Sequence, residues 1–222
     1  MTSTRTQVRR KPARGSYERA GALAILHEAL FGHLAFVQDG QPYCIPMGHG
    51  VVEETLYLHG SAASRACRLA GSGAPLCFTV TLTDGIVVAK SMFNSSLNYR
   101  SCVVFGAGRA VTDPDETTAA YHAVIDSLIP GRSGDVRAPT EKEIKQTAFV
   151  AMTLDEFSVK ARRGGPVEEP EDVDLPHWSG VVPVRMVFGP ADPAPDTQVA
   201  LPDYLDPYVR PVDVRPDEGR RS

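Results

Sequence analysis

Residues 56–69 read LYLHGSAASRACRL, and this stretch predicts a strand that turns directly into a helix. Ser61 is able to cap the helix, and Gly71 suits its C-terminal end. A helix start directs unpaired backbone amides and a positive dipole outward, and Ser64 and Arg65 add a hydroxyl and a cation. The stretch therefore predicts an anion site, although a capping Ser61 beside a solvated Arg65 explains the same pattern.

Antiparallel strands are predicted on both sides of this stretch. Residues 33–38 and 42–47 flank Asp39-Gly40, a dipeptide whose easily adopted positive φ suits a tight hairpin turn. Residues 75–82 and 86–91 flank Asp84-Gly85 in the same way. The other predicted strands are residues 55–59, 100–111, 148–161 and 181–188. Six or more strands that close on themselves to hide their edges indicate a barrel.

Helix signals surround these strands. They are the apolar spacing in residues 18–30, the turn into residues 61–70, an Asp113-Pro114 start that runs to Pro130-Gly131, and a Thr140 to Glu143 capping box. With 222 residues, 42% of them hydrophobic, the chain is long enough for one ordinary domain with tails. We expect a flexible basic arm at 1–16, a barrel domain at 17–189 and a proline-rich tail at 190–222.

Composition disfavours several classes of function. The chain has 23 basic and 27 acidic residues and a net charge of −4, so it lacks the positive field that nucleic-acid binding needs. An apolar run long enough for a membrane span and a secretory signal are both missing, which indicates a cytoplasmic protein without a membrane partner. The four cysteines lie far apart and are interpreted as reduced core thiols. His27, His33 and His49 lack metal-ligand spacing, so no metal is expected.

Two strings in the sequence resemble a known family. LYLHGS at 56–61 and NYRS at 98–101 are similar to strings in the pyridoxamine 5′-phosphate oxidase-like split barrels, closest to the flavin-nucleotide-binding or nitroimidazole-resistance-like subgroup. The resemblance covers roughly residues 9–185. It implies a mainly β fold with peripheral helices, an antiparallel split β-barrel of the FMN-binding type. It also implies a homodimer with flavin at the subunit interface.

The resemblance assigns roles around the flavin phosphate and ring. Arg65 would pair with the phosphate, assisted by Ser61 and Ser64, because a guanidinium donates two bonds to an anion at once. Pro46, Met47 and Gly48 are expected along the isoalloxazine edge, and His59 and Gly60 of the LYLHGS string are expected to contact the cofactor. The classical oxidases carry Arg-Lys where this chain has Ser64-Arg65 or Arg65-Ala66, and Lys90 or Lys160 is the candidate for the second phosphate cation.

His59 is also the candidate catalytic residue. A histidine that ends a strand beside a phosphate site is able to contact the cofactor or act as an acid near neutral pH. A structural histidine with satisfied hydrogen bonds at the barrel rim is the alternative.

A second set of candidates lies later in the chain. By resemblance, Asn98, Tyr99 and Arg100 lie at the dimer interface against the partner's flavin, where Tyr99 and Arg100 would contact its ribityl or phosphate group. A cross-strand stack of Tyr99 on Arg100 at the barrel surface is the alternative. Trp178 offers a flat indole that could cover a ring face, or it plugs the end of the barrel.

The resemblance implies an FMN-dependent oxidoreductase that acts on a small-molecule substrate. Vitamin B6 oxidation is not expected, because the C-terminal Arg-x-His-x-Arg pattern of true pyridoxamine 5′-phosphate oxidases is missing. A non-catalytic flavin-binding or flavin-sensing protein would share the same phosphate contacts. The same barrel could also hold FAD, a deazaflavin or heme in place of FMN.

Overall fold

The computed structural model describes residues 3–206 and 208. Within them, strands with alternating apolar side chains form a ten-stranded antiparallel sheet. The strands are β1 (Gly15–Ser16), β2 (Gly32–Gln38), β3 (Gln41–Met47), β4 (His49–Val52), β5 (Thr55–Ser61), β6 (Ser72–Val88), β7 (Ser96–Ala110), β8 (Thr147–Thr153), β9 (Glu156–Arg162) and β10 (Gly180–Pro183). The helices are α1 (Arg19–Glu28), α2 (Arg65–Ala70), α3 (Pro114–Leu128) and α4 (Glu141–Gln146).

The sheet is split rather than closed. Within the described residues, hydrogen-bonded neighbours follow the order β3-β2-β6-β7-β8-β5-β4, while β9 pairs with β7 and β1 and β10 pairs with β6. No ladder joins the two end strands of this path. The predicted mainly β fold of split-barrel type, with peripheral helices, is therefore confirmed. The expected closure of the strands on themselves is not found, and β3 keeps one edge without a strand partner.

The long strand β6 corrects one predicted hairpin. It runs for 17 residues through Asp84-Gly85, where a turn was expected, and Gly85 is absent from the residues with positive φ. The ladder with β7 shifts register between Thr83 and Gly85, so the dipeptide forms a bulge. β6 continues because it has partners on both edges there, β7 on one side and β10 on the other. The Asp39-Gly40 hairpin is confirmed, with φ of 52° and 78°.

Other element boundaries also differ from the prediction. Residues 148–161 form two strands, β8 and β9, that reverse at Leu154, whose amide donates to the Glu54 carbonyl at 3.0 Å. The last strand covers Gly180–Pro183 instead of 181–188, and β4 was not predicted.

Of the four cysteines, Cys67 and Cys102 are buried, but Cys44 is exposed on β3 and is not a core thiol.

Local capping signals are confirmed where the sequence predicted them. Asp113 accepts the Glu116 amide at 2.9 Å at the start of α3, and Thr140 with Glu143 forms a reciprocal capping box on α4. The main core lies under β2, β5 and β6 and includes Leu34, Leu58 and Phe78. Because α1 buries Ala22, Ile25 and Leu26 in it, the helix is fixed against the sheet.

The two terminal segments lie on the barrel surface. Arg5 pairs with Glu156 on β9, Thr6 is buried, and β1 adds to β9 through Gly15 and Ser16. The flexibility expected for 1–16 stays a prediction, and residues 1–2 lie outside the described part. In the predicted tail, residues 190–206 contain one 3-10 turn, Asp203–Leu205, and residues 207 and 209–222 lie outside the described part. No helix in residues 3–206 and 208 is long and apolar enough to cross a membrane.

Candidate functional site

A column of three side chains holds Arg65 at the edge of the sheet. Phe36 and Tyr43 are cross-strand partners in the β2–β3 hairpin, and their rings stack with centroids 5.3 Å apart. The Arg65 guanidinium carbon lies 4.0 Å from the Tyr43 ring centroid, and Nη1 donates to the Tyr43 hydroxyl at 3.1 Å. Arg65 is exposed, and among the described residues it forms no ion pair. It is therefore a pre-oriented cation with donors left for a ligand.

The structure changes the predicted start of α2. The helix begins at Arg65 rather than at residue 61, so Ser64 occupies the N-cap position and Ser61 is the last residue of β5. The Ser61 hydroxyl accepts the Ala63 amide at 3.2 Å, and the Ser64 amide donates to the Ser61 carbonyl at 2.8 Å. Ser61 thus shapes the turn, and the expected cap by Ser61 is wrong. Both serines still lie in the turn just before Arg65, as the phosphate assignment requires.

Gly60 allows α2 to approach β5. A Cβ on Gly60 would lie 2.8 Å from the Cys67 sulfur, which is closer than real Cβ contacts permit. Burial raises the pKa of the Cys67 thiol, and a hydrogen bond with Ser64 opposes that shift. Cys67 is therefore a neutral packing residue, and Gly60 sets the distance between the strand and Arg65.

Strand β3 offers a backbone edge next to this cation. β3 ends the sheet, with β2 on one side, and it contains Pro42 and Pro46. A proline is tolerated there only where its nitrogen faces away from the partner strand, so both nitrogens face the open edge. Cys44 has the same orientation because it lies two residues from each proline. Of the predicted ring contacts, Pro46 is thus exposed at this edge, whereas the Met47 side chain is buried in the core.

Gly48 and His59 meet where β3 passes into β4. A Cβ on Gly48 would lie 2.7 Å from Cε1 of His59, so only glycine lets the histidine ring pack against the backbone here. The other side of the ring faces Phe149, its cross-strand neighbour on β8, with centroids 6.2 Å apart. Burial lowers the pKa of His59, and the adjacent Gly48 backbone partly offsets that shift, while the buried Nδ1 has no hydrogen-bond partner among the described residues. The neutral imidazole is therefore favoured at pH 7.

The lowered pKa of His59 predicts how stability changes with pH. Because the unfolded chain takes up this proton at its ordinary pKa of 6.5 before the folded chain does, stability falls as the pH drops through that range. We expect the urea concentration at the unfolding midpoint to decrease as the pH is lowered from 7.5 to 5.5. In His59→Gln this decrease should be smaller. The exposed His177→Gln is the control. An equal fall in all three proteins would exclude His59 as its source.

Asn98 and Arg100 have partners within the chain. The Asn98 oxygen accepts from the buried Arg162 at 2.5 Å, and its amide donates to the Gly164 carbonyl at 3.0 Å. Arg100 uses Nε, Nη1 and Nη2 on the carboxylates of Glu28 and Asp84, which raises its pKa. The predicted surface stack of Tyr99 on Arg100 is not seen. An arginine held by two carboxylates is poorly placed to bind phosphate, and we do not assign Arg100 to the anion site.

The remaining candidates lie far along β6 from Arg65. Asn98 pairs with Gly85, and Trp178 lies over Gly180, which pairs with Val88 at the strand's last residue. Arg65 lies on Tyr43, whose hairpin partner Phe36 is next to Ala35, and Ala35 pairs with Cys77 in the first part of β6. From Cys77 to Gly85, about eight residues of strand, roughly 26 Å if straight, separate the two groups. Trp178 is largely exposed and does not plug the barrel. Lys90 donates to the Val173 carbonyl, and Lys160 lies on β9.

Tyr43 is the site residue that the sequence analysis missed. Its register was available, because the Asp39-Gly40 turn pairs residue 36 with residue 43. Its contact with Arg65 was not available, since the two residues lie 22 positions apart and on elements that only the folded chain brings together.

Comparisons with known proteins agree with the split-barrel fold. The family model described as pyridoxamine 5′-phosphate oxidase matches residues 18–161. The structure of the flavocytochrome Anf3 from Azotobacter vinelandii has a TM-score of 0.87 and 31% identity over 92% of this chain and 96% of that one. The FAD and heme binding protein from Mycobacterium smegmatis has a TM-score of 0.83 and 35% identity over 87% and 96%.

A more distant structure shares the fold. It is a candidate 5-nitroimidazole antibiotic resistance protein from Bacteroides thetaiotaomicron, with a TM-score of 0.56 and 18% identity over 66% of this chain and 85% of that one. No curated protein matches the chain.

Proposed function

The chain belongs to the pyridoxamine 5′-phosphate oxidase family, and from that membership we propose that it binds a flavin nucleotide whose phosphate pairs with Arg65. The observation that carries the proposal is an exposed guanidinium, held in place by Tyr43, beside the Ser61–Ser64 turn. A dianionic phosphate matches the planar donors of such a guanidinium.

The residues at the site fit a flavin ring as well as its phosphate. The open edge of β3 offers carbonyls and the Cys44 amide to the polar rim of a ring, and Pro46 is exposed there. Gly48 makes room for the neutral ring of His59, which packs against the backbone where β3 passes into β4. When bound, the flavin would supply hydride or electron transfer. Arg65 would anchor the phosphate, β3 would orient the ring, and His59 would hold a neutral imidazole behind Gly48.

The form of the flavin follows from two sources of support. The phosphate site by itself suits FMN, which is the cofactor that the sequence resemblance implies. The Mycobacterium smegmatis structure, at 35% identity, is described as an FAD and heme binding protein, so FAD is the alternative. Heat release of the cofactor followed by mass spectrometry separates the two. We expect FMN, and a released mass equal to FAD would replace it.

Heme is a second candidate ligand, in addition to flavin. It is favoured because two similar structures, at 31% and 35% identity, are described as a flavocytochrome and as an FAD and heme binding protein. His33 would be the residue to hold it, because an imidazole nitrogen is a donor that heme iron accepts: its ring is exposed on β2, and the exposed Phe31 ring lies 5.7 Å away. If His33 holds heme, His33→Ala removes the Soret band and keeps the flavin bands. Retention of the Soret band would exclude this ligand.

The site residues also favour a homodimer with flavin between the subunits. In one chain, Arg65 lies near the start of β6, whereas the group formed by Asn98, Tyr99 and Trp178 lies near its end. They approach a common ligand most simply across a two-fold interface, because such an interface brings different parts of the same surface together. Tyr99, on the outer face, is then the group's best candidate for contact with the partner's flavin. Lys160 remains the candidate second phosphate cation.

The reaction we propose is oxidation or reduction of a small molecule, in a cytoplasmic protein. A non-catalytic flavin-binding role would use the same contacts. The visible spectrum of the purified protein is the first test: flavin bands support the proposal, and a colourless protein that takes up no added FMN overturns it. Steady-state oxidation of NADH or NADPH with a nitro acceptor then separates an enzyme from a binding protein. No turnover above free FMN would favour the binding role.

Tyr43 is expected to act on flavin affinity through Arg65. Tyr43→Phe loses the hydrogen bond to the guanidinium and keeps the ring stack, whereas Tyr43→Ala loses both. Since each contact contributes about 0.5–1 kcal/mol, we expect the Kd for FMN to rise about twofold to fivefold in Tyr43→Phe. The Kd should rise further in Tyr43→Ala. Fluorescence titration with FMN measures both. Equal affinity of Tyr43→Ala and the parent protein would remove Tyr43 from the site.

A further inference from the structure

An apolar patch covers the end of the sheet opposite Arg65. Leu97, Ile86 and Val182 are cross-strand neighbours on β7, β6 and β10, so they share one face, and each is nearly half exposed. Trp178 covers the same face at Gly180. We call these residues, together with Met92 and Phe93 in the turn between β6 and β7, the end patch. It continues the face that carries Tyr99.

The end patch is large for a surface that faces water. Met92 is 99% exposed, Phe93 87% and Trp178 67%. At these exposures the two aromatic rings alone offer roughly 300 Å². The four aliphatic and thioether side chains bring the end patch into the range in which apolar surface marks an interaction site. It is also a large share of the roughly 800 Å² that each partner buries in a standard interface.

A second apolar surface begins where the end patch stops. We call residues 184–202 the strap. It follows β10 directly, and the Val184 amide donates to the Asp84 carbonyl at 3.1 Å. Its far end is held by Tyr204, whose hydroxyl donates to Asp135 at 2.6 Å and accepts from Arg132 at 2.9 Å. Residues 184–201 are exposed throughout, including Val187 at 83%.

The strap is preorganised but does not cover the chain's own patch. Its prolines fix φ at several positions, and the Thr197 amide donates to the Ala194 carbonyl at 3.0 Å in a turn, so less entropy is lost on binding. Yet its apolar side chains and those of the end patch are both exposed in the same chain. Within the strap, the Phe188 ring packs on Tyr208 with centroids 4.7 Å apart, whereas Met186, Val187 and Val199 stay largely exposed. Two largely exposed apolar surfaces, joined at β10, are what a two-fold contact between identical chains would bury together.

We propose that the strap of each copy lies on the end patch of a second copy of this chain. The proposal rests on the homodimer proposed above and assigns residues to it. Phe93 and Trp178 are the aromatic anchors of that interface, and Met186, Val187 and Val199 of the other chain pack on them. Tyr99 borders the contact, so closing the strap also covers the outer face on which a shared flavin would lie.

Cross-linking between labelled and unlabelled chains tests the contact directly. A photo-reactive phenylalanine analogue replaces Val187 in the full chain, and nitrogen-15-labelled and unlabelled copies are mixed before illumination. We expect cross-linked peptide pairs of mixed isotope content that join residue 187 to the end patch, within residues 86–97 or 178–182. Pairs of one isotope only, or mixed pairs that map elsewhere, would overturn the proposal.

A matched pair of variants tests the energetic role of the end patch. Phe93→Asp is expected to raise the dimer dissociation constant at least tenfold by sedimentation equilibrium, because it places a charge in an apolar contact. Val52→Asp, at an exposed valine on β4, is the control and should leave it unchanged. Equal dissociation constants would overturn the assignment. If the protein is a flavin-bound dimer but lacks the expected cross-links, only this inference is wrong. If the cross-links form but the protein binds no flavin, only the proposed function is wrong.

Discussion

Arg65→Ala is expected to weaken flavin binding about ten- to a hundredfold. A charge-assisted bond to phosphate contributes about 1.5–3 kcal/mol, and each 1.4 kcal/mol is a factor of ten in affinity. Arg65 is exposed, its guanidinium lies 4.0 Å from the centre of the Tyr43 ring, and the Ser61–Ser64 turn lies next to it. Removing the side chain leaves those groups in place, so the loss reports the ligand contact. Fluorescence titration with FMN measures it.

Arg68→Ala is the matched control for Arg65→Ala. Both arginines are exposed on the six-residue helix α2, and both substitutions change the net charge by the same amount. Arg68 lies in the last turn of α2, away from the Ser61–Ser64 turn, so its removal should change the Kd less than twofold to threefold. Arg65→Lys adds a further test, because an ammonium keeps the charge and loses the planar pair of donors. If the two alanine variants bind FMN with equal affinity, the assignment of the phosphate contact to Arg65 is wrong.

Arg100→Met is expected to lower the free energy of unfolding by about 3 kcal/mol. The Arg100 side chain is 12% exposed and pairs with Glu28 at the end of α1 and with Asp84 in the β6 bulge. Methionine fills a similar volume but leaves two partly buried carboxylates side by side without a cation, which is costly in a poorly solvated site. Urea denaturation at pH 7 measures the loss. For a chain of this size it corresponds to a melting temperature lower by about 6–12 °C.

Arg109→Met is the control for Arg100→Met. Arg109 also pairs with a carboxylate, Glu116, but its side chain is 61% exposed, so its ion pair is screened by water and contributes little. The same pair of variants separates stability from cofactor contact. If Arg100 is structural, the folded Arg100→Met protein binds FMN as tightly as the parent. A stable Arg100→Met protein with weakened flavin binding would restore Arg100 to the flavin site.

Several elements could be predicted because their causes lie within a few residues. The Asp39-Gly40 turn needs two residues that accept positive φ, and both adopt it. The Asp113 cap and the Thr140 to Glu143 capping box each satisfy helix amides from three residues away. The LYLHGSAASRACRL stretch likewise encodes a strand, a turn and a helix in one continuous run, which is why Arg65 was found near the sheet edge.

The Asp84-Gly85 prediction failed for a physical reason. The dipeptide has the same local preference as Asp39-Gly40, yet β7 and β10 extend the ladders past it on both edges, and Arg100 holds the Asp84 carboxylate. Backbone pairing on two sides outweighs the turn preference of two residues, so the chain forms a bulge. Ser61 failed as a cap for a related reason: pairing with Thr147 on β8 keeps it in β5.

The sequence by itself determined the family, the strand-rich fold and the position of the arginine proposed to bind the anion, because short-range backbone preferences and contiguous strings encode them. Tertiary structure alone decided which side chains Arg65 and Arg100 contact. Tyr43 lies 22 residues from Arg65, and Glu28 lies 72 residues from Arg100. Such contacts depend on how ladders and helices bring distant segments together, and that arrangement minimises the free energy of the whole chain rather than of any local segment.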